Sequence, residues 1–406
     1  MSTRNIWADV YGVGHTVTSI STAANCAKGI ALKNHPSFSA GTSIIDQRKA
    51  IGVSYRRGDT GFEYQQGASV PEASWEFDAS YKNLSRILWS LFQQGSFQGE
   101  GTVYPKYFVP YDTSELEVWL NLIRKLAPSG TATSQRVKGA VCHSLALSGE
   151  EGQTISAVAE FRGYGLETNH DIASDTLTFD AVAPLMFQNA TITLDGNTVY
   201  IPNFNLTITN NLVTKFYDNA TAVRHILNDF TAEGTIVIPW ADENEGGNSQ
   251  FDDFVAGNVS RLVIRWGDNE IASADGNFSM IMNIRRTNAT HTGDDEVVTE
   301  IPFHIVSGLE SGSVKTTSAS TIKLNGNASV TGTNTEFDSF EVGDLLYALN
   351  AAAAGDRTVR VITAIASDTA ITVYPTYSGS DTGLLYKVME TPLTISLGDS
   401  QNISGM

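Results

Sequence analysis

Residues 203–209, Asn-Phe-Asn-Leu-Thr-Ile-Thr, alternate polar and apolar side chains without a break and run into Asn210-Asn211. Successive side chains of a strand point to opposite faces, so this stretch predicts a half-buried strand with Phe204, Leu206 and Ile208 inward. Just upstream, 190–194 and 198–201 flank Asp195-Gly196. That dipeptide predicts a tight hairpin, because its turn needs backbone at positive φ. Downstream, 235–240, 278–285 and 297–306 carry the same strand pattern. A short helix is expected over 222–230. Phe251, Phe254, Val255 and Leu262 fit another helix, which Gly257 weakens.

The preceding part of the chain also reads as β. Ile51, Val53 and Tyr55 alternate with small or polar residues, and 74–77 resumes a strand. Between them, 55–71 reads as a long loop containing Arg56, Arg57, Asp59, Phe62 and Tyr64. The period changes at 81–92, where Tyr81, Leu84, Ile87, Leu88 and Leu91 fall at helical spacing, with Ser80 as N-cap and Gly95 just past the end. A second helix is expected over 115–126 from Leu116, Trp119, Leu120 and Ile123, with Ser114 and Glu117 as a capping box. Strands at 137–147 and 154–161 follow, joined by a turn at 148–152. Residues 1–35 are poorly periodic and read as an arm.

Both halves thus show a strand, a helix and a long closing hairpin, which suggests two divergent copies of one small β-barrel module. A single larger barrel with insertions is the plainer alternative. The first module is placed at 36–183 and the second at 184–308. Residues 308–320 are rich in Ser, Thr and Gly, and 321–388 then show short strands at the spacing of a small barrel or sandwich. Alternation returns at Leu393, Ile395 and Leu397. The expected architecture is therefore mainly β, with a small all-β barrel at 309–388 inserted in the second module and that module completed by 389–406.

Hydrophobic residues make up 41% of the 406-residue chain and charged residues 17%, as in a folded protein. Its 26 Lys and Arg against 44 Asp and Glu leave a net charge of −18, which argues against holding nucleic acid by its phosphates. Two cysteines, Cys26 and Cys142, imply no disulfide framework. No apolar run reaches a membrane span, and the first residues lack a secretory signal, so synthesis in a cytoplasm is expected.

Three stretches carry a family resemblance. They are Ser74-Trp75-Glu76-Phe77 with the Leu-rich helix after it; 140–147 with 154–165; and Phe204-x-Leu206-x-Ile208-x-Asn210-Asn211 through Gly234-Thr235-Ile236-Val237-Ile238. Ile301-Pro302-Phe303, resuming at Pro392-Leu393-Thr394-Ile395, completes the pattern. In order and spacing these resemble the tail tube (major tail) proteins of long-tailed, non-contractile bacteriophages. The resemblance implies a structural virion protein that assembles into stacked rings around a channel for DNA. Rings would hold three copies if the chain carries two modules and six if it carries one. It also implies contact with the tape measure protein in the lumen and with tail terminator and distal tail proteins at the ends. Within the family a long barrel loop packs on the next ring; here Arg56, Arg57, Asp59, Phe62 and Tyr64 are the candidates. The inserted barrel resembles those that decorate phage tails.

No catalytic, cofactor or metal residues are assigned. Gly12-x-Gly14 lacks the third glycine of a dinucleotide turn, and there is no Gly-x-Ser-x-Gly elbow. The seven histidines show no metal-ligand spacing. The acidic cluster 242–245 with Asp252 and Asp253 lacks the ligand order of a calcium loop and reads more simply as a solvated turn. A carbohydrate-binding or adhesive β-rich tail component is the alternative function, and a glycan-degrading enzyme a distant third.

Overall fold

The computed structural model describes residues 10–14, 28–34, 37–46, 64–93, 96–98, 104–110, 118–125, 134–168, 178–179, 183–216, 224–239, 250–267, 276–292, 298–306 and 320–399. The strands of the first part are β1 (Val10–Gly14), β2 (Lys28–Gly29), β3 (Ser37–Ser39), β4 (Thr42–Asp46), β5 (Tyr64–Ser69) and β6 (Glu72–Asp78). After helix α1 (Tyr81–Phe92) come β7 (Ser96–Gln98), β8 (Tyr104–Phe108), β9 (Val118–Lys125), β10 (Ser134–Glu150), β11 (Ser156–Arg162) and β12 (Gly165–Glu167). The described pieces of the N-terminal stretch lie on this framework: β1 pairs with β9, and Leu32 bridges to Phe77.

The second part contributes β13 (Thr178–Phe179), β14 (Thr191–Leu194), β15 (Asn197–Thr198), β16 (Asn203–Thr209), β17 (Val213–Lys215), β18 (Arg224–Ile226) and β19 (Thr231–Pro239). Helix α2 (Gln250–Ala256) precedes β20 (Val259–Trp266), β21 (Phe278–Arg286), β22 (Thr290–Thr292) and β23 (Val298–Ile305). Asp195 and Gly196 both take positive φ between β14 and β15, as that hairpin requires.

Helix α1 forms where the spacing predicts it. The Ser80 hydroxyl accepts from the Asn83 N–H at 3.2 Å, and Leu84, Ile87, Leu88 and Leu91 are fully buried. It ends on Gln93 at φ 51, two residues before the expected Gly95. The helix expected over 115–126 is instead strand β9 in its described part, paired with β1 and β10. Trp119 packs with Val141 and Leu212 on one side while Leu120 and Leu122 enter the main core on the other. A strand buried on both faces gives the same apolar density as a helical stripe, and pairing decided between them. The Ser114/Glu117 capping box lies outside the described residues, as do 51–55. The helix expected over 222–230 is also corrected. Residues 224–226 are a strand paired with β17, because the Tyr164 hydroxyl accepts from the His225 N–H at 2.9 Å and holds that backbone extended. The third expected helix ends early: Gly257 at φ +69 stops α2, and Leu262 lies in β20.

Eighteen strands join in one sheet that curls into a barrel over α1. The same antiparallel order occurs twice in it. One set runs β3, β6, β11, β10, β9; the other runs β16, β19, β23, β21, β20. Each helix follows the second strand of its set. When the sets are superposed by pairing partners, Trp75 falls on Ile236, Phe77 on Ile238 and Phe161 on Phe303, all core residues. Both long strands carry one extra residue in the same interval. From Cys142 to Ala146 the chain advances four positions while its partner runs back three, Phe161 to Val158. From Arg286 to Thr290 it again advances four against three, Phe303 to Glu300. Such bulges bend and twist a strand.

A third body contains β24 (Thr321–Leu324), β25 (Ser329–Thr333), β26 (Leu345–Ala348), β27 (Val359–Ser367), β28 (Ala370–Tyr374) and β29 (Tyr386–Met389), before β30 (Leu393–Asp399) returns to the main sheet. The six-stranded sheet runs β24, β25, β28, β27, β26, β29 and closes through paired Ile322 and Leu384 backbones. It has its own core, including Phe337, Tyr377, Tyr386 and Ile362. A small apolar patch seats it on the main sheet, where Tyr107, Val263 and Ile281 meet Leu345, Val361 and Tyr374.

The insertion splits one strand. β23 and β30 lie end to end along β21, with Ile305 opposite Ile284 and Leu393 opposite Met282. In the other set β11 and β12 lie end to end along β10, with Arg162 opposite Val141 and Gly165 opposite Lys138. There the gap holds only Gly163 and Tyr164.

Candidate functional site

Six adjacent strands, β6, β11, β10, β16, β19 and β23, present one apolar and one polar face. The apolar face is the core: Ala73, Trp75, Phe77, Ala157, Ala159, Phe161, Leu145, Leu147, Phe204, Leu206, Ile208, Ile236, Ile238, Ile301 and Phe303. Period-2 alternation places every second residue opposite them.

The registers order that polar face into rows. One row reads Asp78, Ser156, Ser148, Asn205, Thr235, Pro302. The next reads Glu76, Val158, Ala146, Thr207, Glu233, His304. A third reads Ser74, Glu160, Ser144, Thr209, Thr231. Glu72 and Arg162 close one corner, and Glu150, Asn203, Val237 and Glu300 form a fourth row at the far end. The face is therefore built mainly of short hydroxyl and amide side chains, interrupted by Ala146, Val158, Val237, Pro302 and His304, with Glu72, Glu76, Asp78, Glu150, Glu160, Glu233 and Glu300 spread among them. Arg162 is the one guanidinium within these rows; Arg136, at the early end of β10, pairs with Glu167 instead.

The positive groups are largely tied down. Arg162 Nε lies 3.4 Å from Glu72, and its Nη1 donates to the Leu212 carbonyl at 3.1 Å. Lys33, from outside the six strands, pairs with Asp78 at 2.9 Å. Burial pushes the Asp78 carboxyl up, but the Thr154 hydroxyl at 2.5 Å and the Lys33 ammonium outweigh it and hold its pKa below the usual value. His143 is half-buried beside Glu160 at 3.6 Å. Burial, aided by the Arg162 charge, pushes its pKa down to about 4, so the imidazole is neutral at pH 7. His225 behaves alike, pushed down to about 4 by burial and Arg162, with its ring against Tyr164 (4.2 Å between centroids).

Of the sequence-derived inter-ring residues, only Tyr64 is among the described residues. Tyr64 opens β5 opposite Asp46, so the end of the expected loop is a strand. Arg56, Arg57, Asp59 and Phe62 lie outside the described residues. Asp253 from the acidic cluster is engaged by Arg286 at 3.4 Å and by the Asn258 amide at 3.0 Å, while 242–245 lie outside the described residues. Among the described residues no three His, Cys, Asp or Glu side chains gather as a metal site. Cys142 is buried, and burial pushes its thiol pKa up, which makes it an inert core residue. The polar face itself was missed in the sequence, although Asn205, Thr207 and Thr209 were read as outward-facing.

No curated protein matches the chain. Among solved structures it is similar to the crystal structure of the SPP1 Dit (gp 19.1) protein, described as a paradigm of the hub adsorption apparatus in phages infecting Gram-positive bacteria. That likeness has 10% identity and a TM-score of 0.20 over 52% of this chain and 98% of the other, and decides nothing. Residues 16–305 match the family described as phage tail tube protein, and they span most of the polar face and both strand sets. This chain, a structural component of a phage tail, belongs to the phage tail tube protein family.

Proposed function

We propose that the chain self-assembles into rings of three copies, each supplying two tube modules, and that stacked rings form the hollow tail tube through which DNA passes. The modules are 36–183 and 184–308 with 389–406; the barrel at 309–388 decorates the exterior. The observation carrying this reading is the continuous polar face that both strand sets share opposite the core. A surface that DNA slides along needs small, hydrated side chains and no phosphate-gripping cations. Carboxylates within about one Debye length of a phosphate repel it at physiological salt. Charges and aromatics at Arg56, Arg57, Asp59, Phe62 and Tyr64 would serve contact between successive rings, and the tape measure protein would occupy the lumen before DNA does.

Negative-stain electron microscopy of the concentrated chain tests this. Hollow cross-striated tubes, or rings with six-lobed end views and three external knobs, are expected. Compact monomers at every concentration, with sugar binding by a glycan panel, would replace the reading with the adhesive one.

A further inference from the structure

The two strand sets meet inside the chain at a defined seam. Asn203–Thr209 of β16 pairs antiparallel with Ser144–Glu150 of β10, so the first strand of the second set closes the late half of the long strand of the first. If chains follow one another head to tail, the same seam must recur between the end of one chain's second set and the start of the next chain's first. The registers say which residues would form it. β3 pairs with β6 as β16 pairs with β19: Ser37 opposite Ser74 matches Asn205 opposite Thr235. β22 pairs with β23 as the late half of β10 pairs with β11: Thr292 opposite Val298 matches Ser148 opposite Ser156. Since Asn205 faces Ser148, the equivalent of that contact is Ser37 facing Thr292.

We infer that β3 of one chain pairs antiparallel with β22 of a second copy, with Ser37 opposite Thr292, Phe38 opposite His291 and Ser39 opposite Thr290. This rests on the ring reading above and names the strands that close it. Ser37, Ser39 and Thr290 are exposed and small, which permits two backbones to approach. The contact is heterologous, so it propagates until the rotation closes. Sheet edges at both ends would be covered in the same step.

Paired cysteines test the register. In a chain with Cys26→Ser, Ser37→Cys with Thr292→Cys should give disulfide-linked multimers after oxidation of assembled material. Ser37→Cys with Thr290→Cys, two positions out of register and roughly 7–8 Å apart, should give at least tenfold less. Ser39→Cys with Thr290→Cys repeats the in-register test at a second site. In the unmodified chain, amides of 37–39 and 290–292 should gain hydrogen-exchange protection on assembly. Rings without in-register cross-links and without that protection would overturn the seam while leaving the ring reading intact. Failure of the unmodified chain to assemble at all would overturn both.

Discussion

The Asn283 side-chain amide donates to Glu390 Oε1 at 2.7 Å, at the point where the small barrel leaves and re-enters the main sheet. The Asn283 backbone spans the same gap, donating to the Pro392 carbonyl and accepting from the Val306 N–H, each at 2.9 Å. One residue therefore clamps both ends of the insertion. Asn283→Ala removes the hydrogen bond to a carboxylate and should cost about 1–3 kcal/mol, read as a lower denaturant midpoint without loss of strand signal by circular dichroism.

Joining Val306 directly to Leu393 should leave a foldable tube subunit. That deletion reproduces the short gap bridged by Gly163 and Tyr164 in the other strand set. Tubes of smaller outer diameter are expected by electron microscopy, with a lower Tm because Tyr107, Val263 and Ile281 lose their cover. A chain that no longer folds would show that the small barrel is an integral part of the core.

Stability should fall as pH drops from about 6.5 toward 4. His143 and His225 have folded pKa values pushed down to about 4, so the unfolded chain takes up protons first as pH falls. The loss is on the order of 1–2 kcal/mol per histidine, and His143→Gln should flatten its share of the slope. Asp344 works the other way. Burial raises its carboxyl to about 6 although the Glu341 and Thr391 N–H groups donate to it, so its contribution is lost as pH rises from about 4 to 6. Urea titrations at a series of pH values, with and without Asp344→Asn, separate the two signs.

Arg286 is buried with its guanidinium 3.4 Å from Asp253 and 2.9 Å from the Ser260 hydroxyl. Asp253→Ala removes the larger of two carboxylate charges acting on a buried cation, the other being Asp195, and should cost about 3 kcal/mol. Asp253→Ala with Arg286→Met should recover much of that loss; equal destabilisation of single and double variants would contradict the pairing.

If the polar face lines the channel, reversing its charge should make assembled tubes hold DNA. Tubes carrying Glu76→Lys, Glu160→Lys and Glu233→Lys should retain duplex DNA in a salt-sensitive way, whereas unmodified tubes should not. Equal retention by both would place this face away from the channel.

Much of this was legible beforehand because period-2 alternation survives wherever one face is wet. Phe204, Leu206 and Ile208 were read correctly for that reason, and so was α1, whose Leu84, Ile87, Leu88 and Leu91 repeat at helical spacing with Ser80 before them. Trp119 to Ile123 misled because neighbours cover both of its faces, which erases the period. Residues 222–230 misled because a single hydroxyl, on Tyr164, and pairing to Val213–Lys215 fix the backbone there. The polar face went unread as a unit: it is assembled from strands far apart in sequence, and only the registers show that Glu76, Glu160 and Glu233 share it.

Only one of the two strand sets is interrupted by a small barrel; its counterpart closes the same gap with Gly163 and Tyr164. In a ring of three such chains the appendages would stand at every second position around the circumference. Held on its own sheet by the patch of Tyr107, Val263 and Ile281, each one would then face an open position on either side, where six appendages on the same circle would crowd.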